Sequence, residues 1–329
     1  MNRKKMPNRN FITYALAIAF YVFMMILTVT GTASRHLESM LVPICINIIL
    51  AVSLNLVVGI LGDLSLGHAG FMSIGAYAGC LFSQATQNNL ITWLRFPLAI
   101  LVGGFVAAIF GIVIGIPVLR LKGDYLAIVT LAFGEIVRSI IINLNFTGGA
   151  SGLKGTPQDV SFTSAFVVVL ITLIVILNLI DSKHGRAIMS LRENSIAAES
   201  CGINIRTYKL AAFILAAFFA GTAGVLYGHN YSILIASTFD YNKSIEILVI
   251  VVLGGMGSIR GSMIAAALLT VLPEALRFMS EYRMLLYALI LIVMMILNAS
   301  PKYREMKRKI GGNFAGLLNP NKKEADLYD

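Results

Sequence analysis

Charged residues cut this chain into long apolar stretches. Runs free of Asp, Glu, Lys and Arg cover 10–34, 39–62, 64–94, 96–119, 160–180, 210–239 and 284–301, with shorter ones at 125–134, 247–259 and 261–273. A helix needs about 20 mostly apolar residues to cross a bilayer. The pattern predicts ten membrane segments, near 11–30, 38–60, 67–84, 96–119, 125–145, 161–180, 209–229, 244–258, 261–279 and 284–300. The third and eighth are short and Gly-rich, as re-entrant or broken helices are. The expected fold is all-α, a polytopic integral membrane helix bundle of about ten transmembrane segments with cytoplasmic N- and C-termini.

The orientation comes from the basic residues. With the N-terminus inside, ten crossings put most of the 26 Lys and Arg on the cytoplasmic side, including the clusters at 3–9, 120–122, 183–209 and 302–323. The other side receives Arg35, Arg95, Lys154, Lys243, Arg277 and Arg283. That bias is the one the positive-inside rule describes, and it favours an even number of crossings. Residues 1–10 read as a basic cytoplasmic N-terminus. The apolar run after them exceeds the ~7–15 residues of a signal-peptide core, so segment one is expected to be a retained anchor. Residues 11–300 form the membrane domain, with a cytoplasmic loop at 181–208, and 301–329 form a basic cytoplasmic tail.

Composition narrows the function. The chain is 57% hydrophobic and 13% charged, with mean hydropathy +0.82. Soluble domains carry about 25% charged residues, and disordered chains are charge-rich and apolar-poor. A net charge of +10 would point to nucleic acid on a soluble protein. Here the charges lie between apolar runs, so they mark topology and no nucleic-acid partner is expected. Cys45, Cys80 and Cys201 have no paired spacing, so neither a disulfide framework nor a zinc site is implied. No GxxxxGK[ST] phosphate loop occurs. The energy for any transport must come from a partner or an ion gradient. No metal-spaced His/Asp cluster and no nucleophile beside a base is present, so no catalytic residue and no metal is expected.

Four stretches depart from generic membrane helix. In 59–77, glycines at 59, 62, 67, 70 and 75 accompany Asp63, Ser65, His68 and Tyr77. Two readings are open. Asp63 caps the following helix and His68 donates to a backbone carbonyl, or these groups line a pathway or gate, where costly intramembrane polar groups usually face. In 122–138, Asp124 is placed to cap a helix. Glu135 and Arg138 stand three apart and can pair, or Glu135 serves a gate or substrate contact. In the loop 181–208, Asn194 or Ser195 can cap a short helix reaching to about Cys201. Ile196, Ala197, Ala198 and Cys201 then make a small face that another protein can approach, or the helix lies on lipid. Lastly, Gly75/Gly79, Gly111/Gly115, Gly224/Gly228 and Gly257/Gly261 have the four-residue spacing of close helix packing. Glycine breaks near 59–75 and 254–261 can mark matching points of two halves.

Taken in order, GDLSLGHAGFMSIGAY, GDYLAIVTLAFGEIVR, REN-x-IAAESCGIN, KLAAF-x-x-AAFFAGTAGVLYG and VVLGGMGSIRG resemble the bacterial branched-chain amino acid ABC importer permeases of the LivH/LivM family, and most closely the LivM type. The resemblance covers roughly 40–300. It implies a permease that shares its pathway with a LivH-like second permease. It also implies two cytoplasmic ATPases, which would carry ATP and Mg, and an extracytoplasmic binding protein, all in the bacterial inner membrane system. Asp63, Ser65, His68, Gly70, Tyr77 and Glu135 become the candidates for pathway or gate. Arg192, Glu193, Asn194, Ala197, Ala198 and Gly202 become the candidates for ATPase coupling. The Glu-Ala-Ala-x-x-x-Gly docking pattern of importer permeases aligns with Ile196, Ala197, Ala198 and Gly202, so its leading Glu is absent here. Family members that carry urea or short amides offer one alternative. An ion-coupled secondary transporter built on Asp63, His68, Glu135, Glu246 and Glu274 is the other.

Overall fold

A computed structural model of the chain describes residues 8–30, 35–88, 91–121, 123–275, 288, 289 and 292. The basic stretch before residue 8, most of the tenth expected segment and the tail 301–329 lie outside the described residues. Eleven α-helices are described: α1 (Asn8–Val29), α2 (Arg35–Asn55), α3 (His68–Ala85), α4 (Thr92–Val118), α5 (Asp124–Asn143), α6 (Phe162–Asp181), α7 (Lys183–Glu193), α8 (Ser195–Ser200), α9 (Ile205–Asn230), α10 (Tyr241–Gly254) and α11 (Ile259–Ala275). Two short strands, β1 (Leu153–Lys154) and β2 (Ile233–Leu234), pair antiparallel with Leu153 opposite Leu234.

Among the described residues, five stretches are long and apolar enough to cross a membrane: Glu38–Leu61, Thr92–Val118, Asp124–Asn143, Phe162–Asp181 and Ile205–Asn230. Thr13–Ile26 and Ile259–Pro273 are shorter apolar helices. The chain is a polytopic membrane helix bundle. α4, α5 and α6 each leave an apolar stripe uncovered, with Phe105, Val113, Ile128, Ile136 and Ile171 among the exposed residues. A soluble monomer rarely exposes so much contiguous apolar surface. Around these helices the solvent is lipid or another membrane chain.

α2, α3 and α9 form the centre, with α4 packed on α3 and α9. The contact is backbone against backbone. A Cβ on Gly75 would stand 2.3 Å from Gly221 Cα, and one on Gly224 would stand 2.0 Å from the Met72 carbonyl oxygen. Between membrane helices there is little hydrophobic drive, so close van der Waals approach does the work, and small residues make it possible. Glycines 70 and 75 therefore sit inside a regular helix and do not loosen it. Hydroxyls and amides add interhelical bonds. Asn47 Nδ2 donates to Thr270 Oγ1 at 2.8 Å, and Asn55 Nδ2 donates to Ser262 Oγ at 2.8 Å.

The chain breaks elsewhere. α2 runs on as a π-helical turn, Leu56–Leu61, and then reverses through Gly62 at φ +88°. Residues 62–67 are non-helical, and α3 begins at His68. Asp63 is therefore no helix cap. Asp124 is not one either, because it is the first helical residue of α5, follows Gly123 at φ +60° and makes no capping bond. α10 has 14 residues. At 1.5 Å each that is about 21 Å, short of the ~30 Å hydrocarbon core, so it does not cross alone. It starts at Tyr241 and not at 244, capped by Asp240, whose carboxylate accepts from the Lys243 N–H at 3.0 Å. A tight turn with Gly255 and Gly257 at positive φ leads into α11.

Contacts sort the connections into two groups. Residues 59–63, 119–120, 192–209 and 257 meet at one end of the bundle. At the other, Arg95 pairs with Asp159 at 2.5 Å, Gln84 donates to the Lys154 carbonyl oxygen, and β1 meets β2. The grouping is the alternation expected for these spans.

The central packing carries a prediction. Gly224→Ala should destabilise the detergent-purified protein by about 1–3 kcal/mol, as overpacking does, seen as a lower melting temperature and a lower membrane level. Val113→Ala, on an exposed apolar stripe, should stay within about 0.5 kcal/mol of the parent. Equal stability of the two variants would refute the close approach.

Candidate functional site

The end that gathers the 59–63 reversal also holds the loop 181–208, and that loop is mostly helical. Ser182 caps α7 by accepting from the Gly185 N–H, and Ile188 and Leu191 are buried on one face of α7. Asn194 ends α7 and caps α8, its Oδ1 accepting from the Ile196 and Ala197 N–H groups at 3.1 Å. Such caps are typically worth about 1 kcal/mol. Gly202 leaves α8 at φ +82° with open space where a side chain would point. Asn204 then caps α9.

The faces of α8 differ from the expectation in one respect. Ile196 is 77% exposed, and Ala197 and Cys201 are also exposed, but Ala198 is buried at 5%. Four-residue periodicity turns Ala198 toward the chain and leaves Ile196 and Ala197 outward. Beside α8 a hollow of about 600 Å³ is lined by Leu119, Arg120, Glu199, Gly202, Ile203, Asn204, Ile205 and Arg206. The exposed Ile196 side chain stands next to this charged hollow. Glu193 is exposed on the same segment.

Two side chains tie this segment to the 59–63 reversal. Lys209 Nζ donates to both Asp63 carboxylate oxygens, at 2.6 and 2.7 Å, with each side chain 17% exposed. Arg192 Nη1 donates to the Gly59 carbonyl oxygen. The Arg192 stem covers Gly62, where a Cβ would come within 2.9 Å of Cγ. Asn55 completes the cluster. Its Oδ1 accepts from the Gly257 N–H at 2.8 Å, and its side chain lies across Gly59, where a Cβ would collide at 1.7 Å.

The expected pathway residues fall in three places. Asp63 belongs to the ion pair with Lys209. Ser65 and His68 are buried, and His68 Nε2 is hydrogen-bonded to Ser53 Oγ at 2.8 Å, so its partner is a hydroxyl and not a backbone carbonyl. The amides there are occupied: Leu66 N–H donates to Thr130 Oγ1 and Ala69 N–H to Ser244 Oγ. Gly70 lies against Gly134. Tyr77 donates its hydroxyl to the Leu234 carbonyl oxygen at 3.0 Å, and its ring borders an apolar recess of about 320 Å³ with Ile74, Leu81, Phe110, Val137 and Ile141. Glu135 pairs with Arg138 at 2.8 Å, and its other oxygen accepts from the Tyr241 N–H at the start of α10, at 2.9 Å. Tyr77 and Glu135 thus flank the α3–α5 side, and Asp63 lies with the loop 181–208. Among the described residues, no group of three His, Cys, Asp or Glu can hold a metal ion.

Sequence reasoning passed over Lys209, Asn55, Ser244 and the pair Arg95–Asp159. One signal was readable: Asp63 and Lys209 each begin or end an apolar run on the expected cytoplasmic side. Opposite charges at like depth on two spans are natural partners.

A family model described as branched-chain amino acid transport system / permease component matches residues 36–297. The high-affinity branched-chain amino acid transport system permease protein LivM of Escherichia coli is 37% identical over 261 residues, covering 69% of this chain and 60% of that protein. The probable LivM permease of Methanocaldococcus jannaschii is 29% identical over 204 residues, 56% of this chain and 58% of its own. The ribose import permease protein RbsC of Haemophilus influenzae is 24% identical over 244 residues, 67% of this chain and 73% of its own. The chain spans about 60% of the length of the LivM relatives it matches. No solved structure matches it. The chain belongs to the branched-chain amino acid permease family.

The ion pair is testable. A double-mutant cycle of Asp63→Asn and Lys209→Met on thermal stability should give a coupling of about 0.5–3 kcal/mol, the range for residues in contact. A coupling near zero would mean the pair contributes nothing.

Proposed function

We propose that this chain is the permease subunit of an ATP-driven importer for branched-chain, hydrophobic amino acids in the bacterial plasma membrane. It forms the translocation pathway with a LivH-like second permease. An extracytoplasmic binding protein delivers the substrate, and two cytoplasmic ATPases that hold ATP and Mg drive the cycle. The termini and the α7–α8 end face the cytoplasm in this reading, which accords with the basic residues Arg120, Arg186, Arg192, Arg206 and Lys209 at that end.

One observation carries the proposal. A family permease presents the helix Ser195–Ser200, capped by Asn194, whose outward residues are Ile196 and Ala197, beside a hollow lined by Arg120, Glu199 and Arg206. The ATPase of such an importer needs a place to push, and this helix is an exposed element fixed to the membrane core. On the pathway side, the apolar recess at Tyr77 and the partly exposed Glu135–Arg138 pair suit an amphiphilic solute that carries both an apolar side chain and charge. Asp63, Ser65, His68 and Gly70 belong to the same helix end and would act as gate supports.

The test is purification of the complex in mild detergent and its reconstitution. A second permease and two ATPase chains should co-purify. Proteoliposomes should take up leucine, in preference to ribose, when ATP is on the cytoplasmic-equivalent face and an uncoupler is present. Ala197→Trp adds bulk on the outward face and should abolish ATPase co-purification at a normal membrane level. Uptake that collapses with the uncoupler while ATP persists would overturn the proposal in favour of an ion-coupled transporter.

A further inference from the structure

We propose that Arg192 is a positioning residue that transmits ATPase movement to the two cytoplasmic helix reversals of the permease, α2–α3 and α10–α11. The inference rests on the docking role assigned above to Asn194–Gly202 and concerns how a push on that helix reaches the pathway.

Residues 193–208 would otherwise hang from α7 and α9 as an exposed connection, in which α8 is only six residues long. Both flanks are instead fastened to one short stretch of chain, residues 59–63. On the α7 side, Arg192 Nη1 donates to the Gly59 carbonyl oxygen, at the end of the π-helical turn of α2. On the α9 side, Lys209 grips Asp63 through both carboxylate oxygens. The second reversal joins at the same point. Gly257, in the α10–α11 turn, has its N–H on Asn55 Oδ1, and a Cβ there would lie 3.1 Å from Arg192 Nη1 and 3.2 Å from the Gly59 carbonyl oxygen.

Three glycines make room for this arrangement. Gly59 lets Asn55 lie across the helix, Gly62 takes φ +88° beneath the Arg192 stem, and Gly257 takes φ +85° beside the guanidinium. A guanidinium has five donors in a planar fork and stays charged, so it holds a carbonyl rigidly where a flexible ammonium does not. The charge-assisted bond is about twice as strong as a neutral one. The α2–α3 reversal and the start of α3 carry the gate-support residues, and α10 begins at Tyr241, whose N–H is held by Glu135 of α5. A displacement of α7–α8 is thus delivered to both helix pairs at once.

The proposal separates cleanly from a direct contact between Arg192 and the ATPase. Arg192→Ala removes the donor. Gly257→Ala leaves the arginine intact but crowds its guanidinium and strains the turn. Each complex is reconstituted whole, and leucine moved per ATP hydrolysed is measured, with subunit composition and melting temperature recorded. Both variants should retain the ATPases and hydrolyse ATP, while transport per ATP falls about tenfold, within the usual range of site-to-site coupling. Arg192→Lys should recover part of the loss. An unchanged ratio in Arg192→Ala overturns the proposal. So does a fall in Arg192→Ala that Gly257→Ala does not share, because Arg192 would then act on the ATPase directly. If the parent complex holds no ATPase, the underlying docking role fails instead, and subunit composition reports that separately.

Discussion

Arg192 and Lys209 bond to the backbone and side chain of one short reversal, Gly59 to Asp63. Both ends of the segment between the two basic residues are therefore tied to that reversal. A six-residue helix has little stability of its own, since nucleation costs more than a single turn returns. α8 holds its shape through the Asn194 cap, the buried Ala198 and these two anchors. Without the anchors, the outward placement of Ile196 and Ala197 would not be fixed. The docking role proposed for this segment depends on that fixation, as does the delivery of motion to α3 and α10.

The anchors in turn need a rigid substrate beneath them. The α2–α3–α9 core supplies it by backbone contact at Gly75, Gly221 and Gly224, with bonds such as Ser53 to His68 and Asn55 to Ser262. Such a core trades side-chain volume for proximity, which suits a bilayer where apolar burial earns little. Its outer helices remain apolar outward, open to lipid or to another membrane chain. The charged groups concentrate at the two ends, as Lys209–Asp63 at one and Arg95–Asp159 at the other.

Much of the fold was legible along the chain. Apolar runs of sufficient length located α1, α2, α4, α6 and α9, because span length is set by the bilayer and not by tertiary detail. Glycine spacing foretold close packing, and the Asn194 cap and the Glu135–Arg138 pair were local enough to read. Other features depend on contacts between distant residues. Asp63 meets Lys209 across 146 positions, and Arg192 meets Gly59 across 133, which no periodicity encodes. The expected start of α10 falls late because Lys243 bounds the apolar run, although Lys243 pairs with Glu246 at 3.0 Å on the helix surface. Ala198 was expected outward because its neighbours are small. Burial on a single-turn helix is decided by what lies under it, and that is invisible until α9 is in place.

In the proposed mechanism the α7–α8 segment and the two helix reversals move as one rigid unit during the transport cycle. Pulsed electron resonance between spin labels at Glu199 and Met256 measures this most directly, in the full complex with and without bound ATP. Both positions are exposed and lie on opposite sides of the Arg192 junction. The account predicts an unchanged distance and an unchanged distribution between the two states, while each label shifts relative to a third at Trp93. A Glu199–Met256 distance that changes with nucleotide would contradict it.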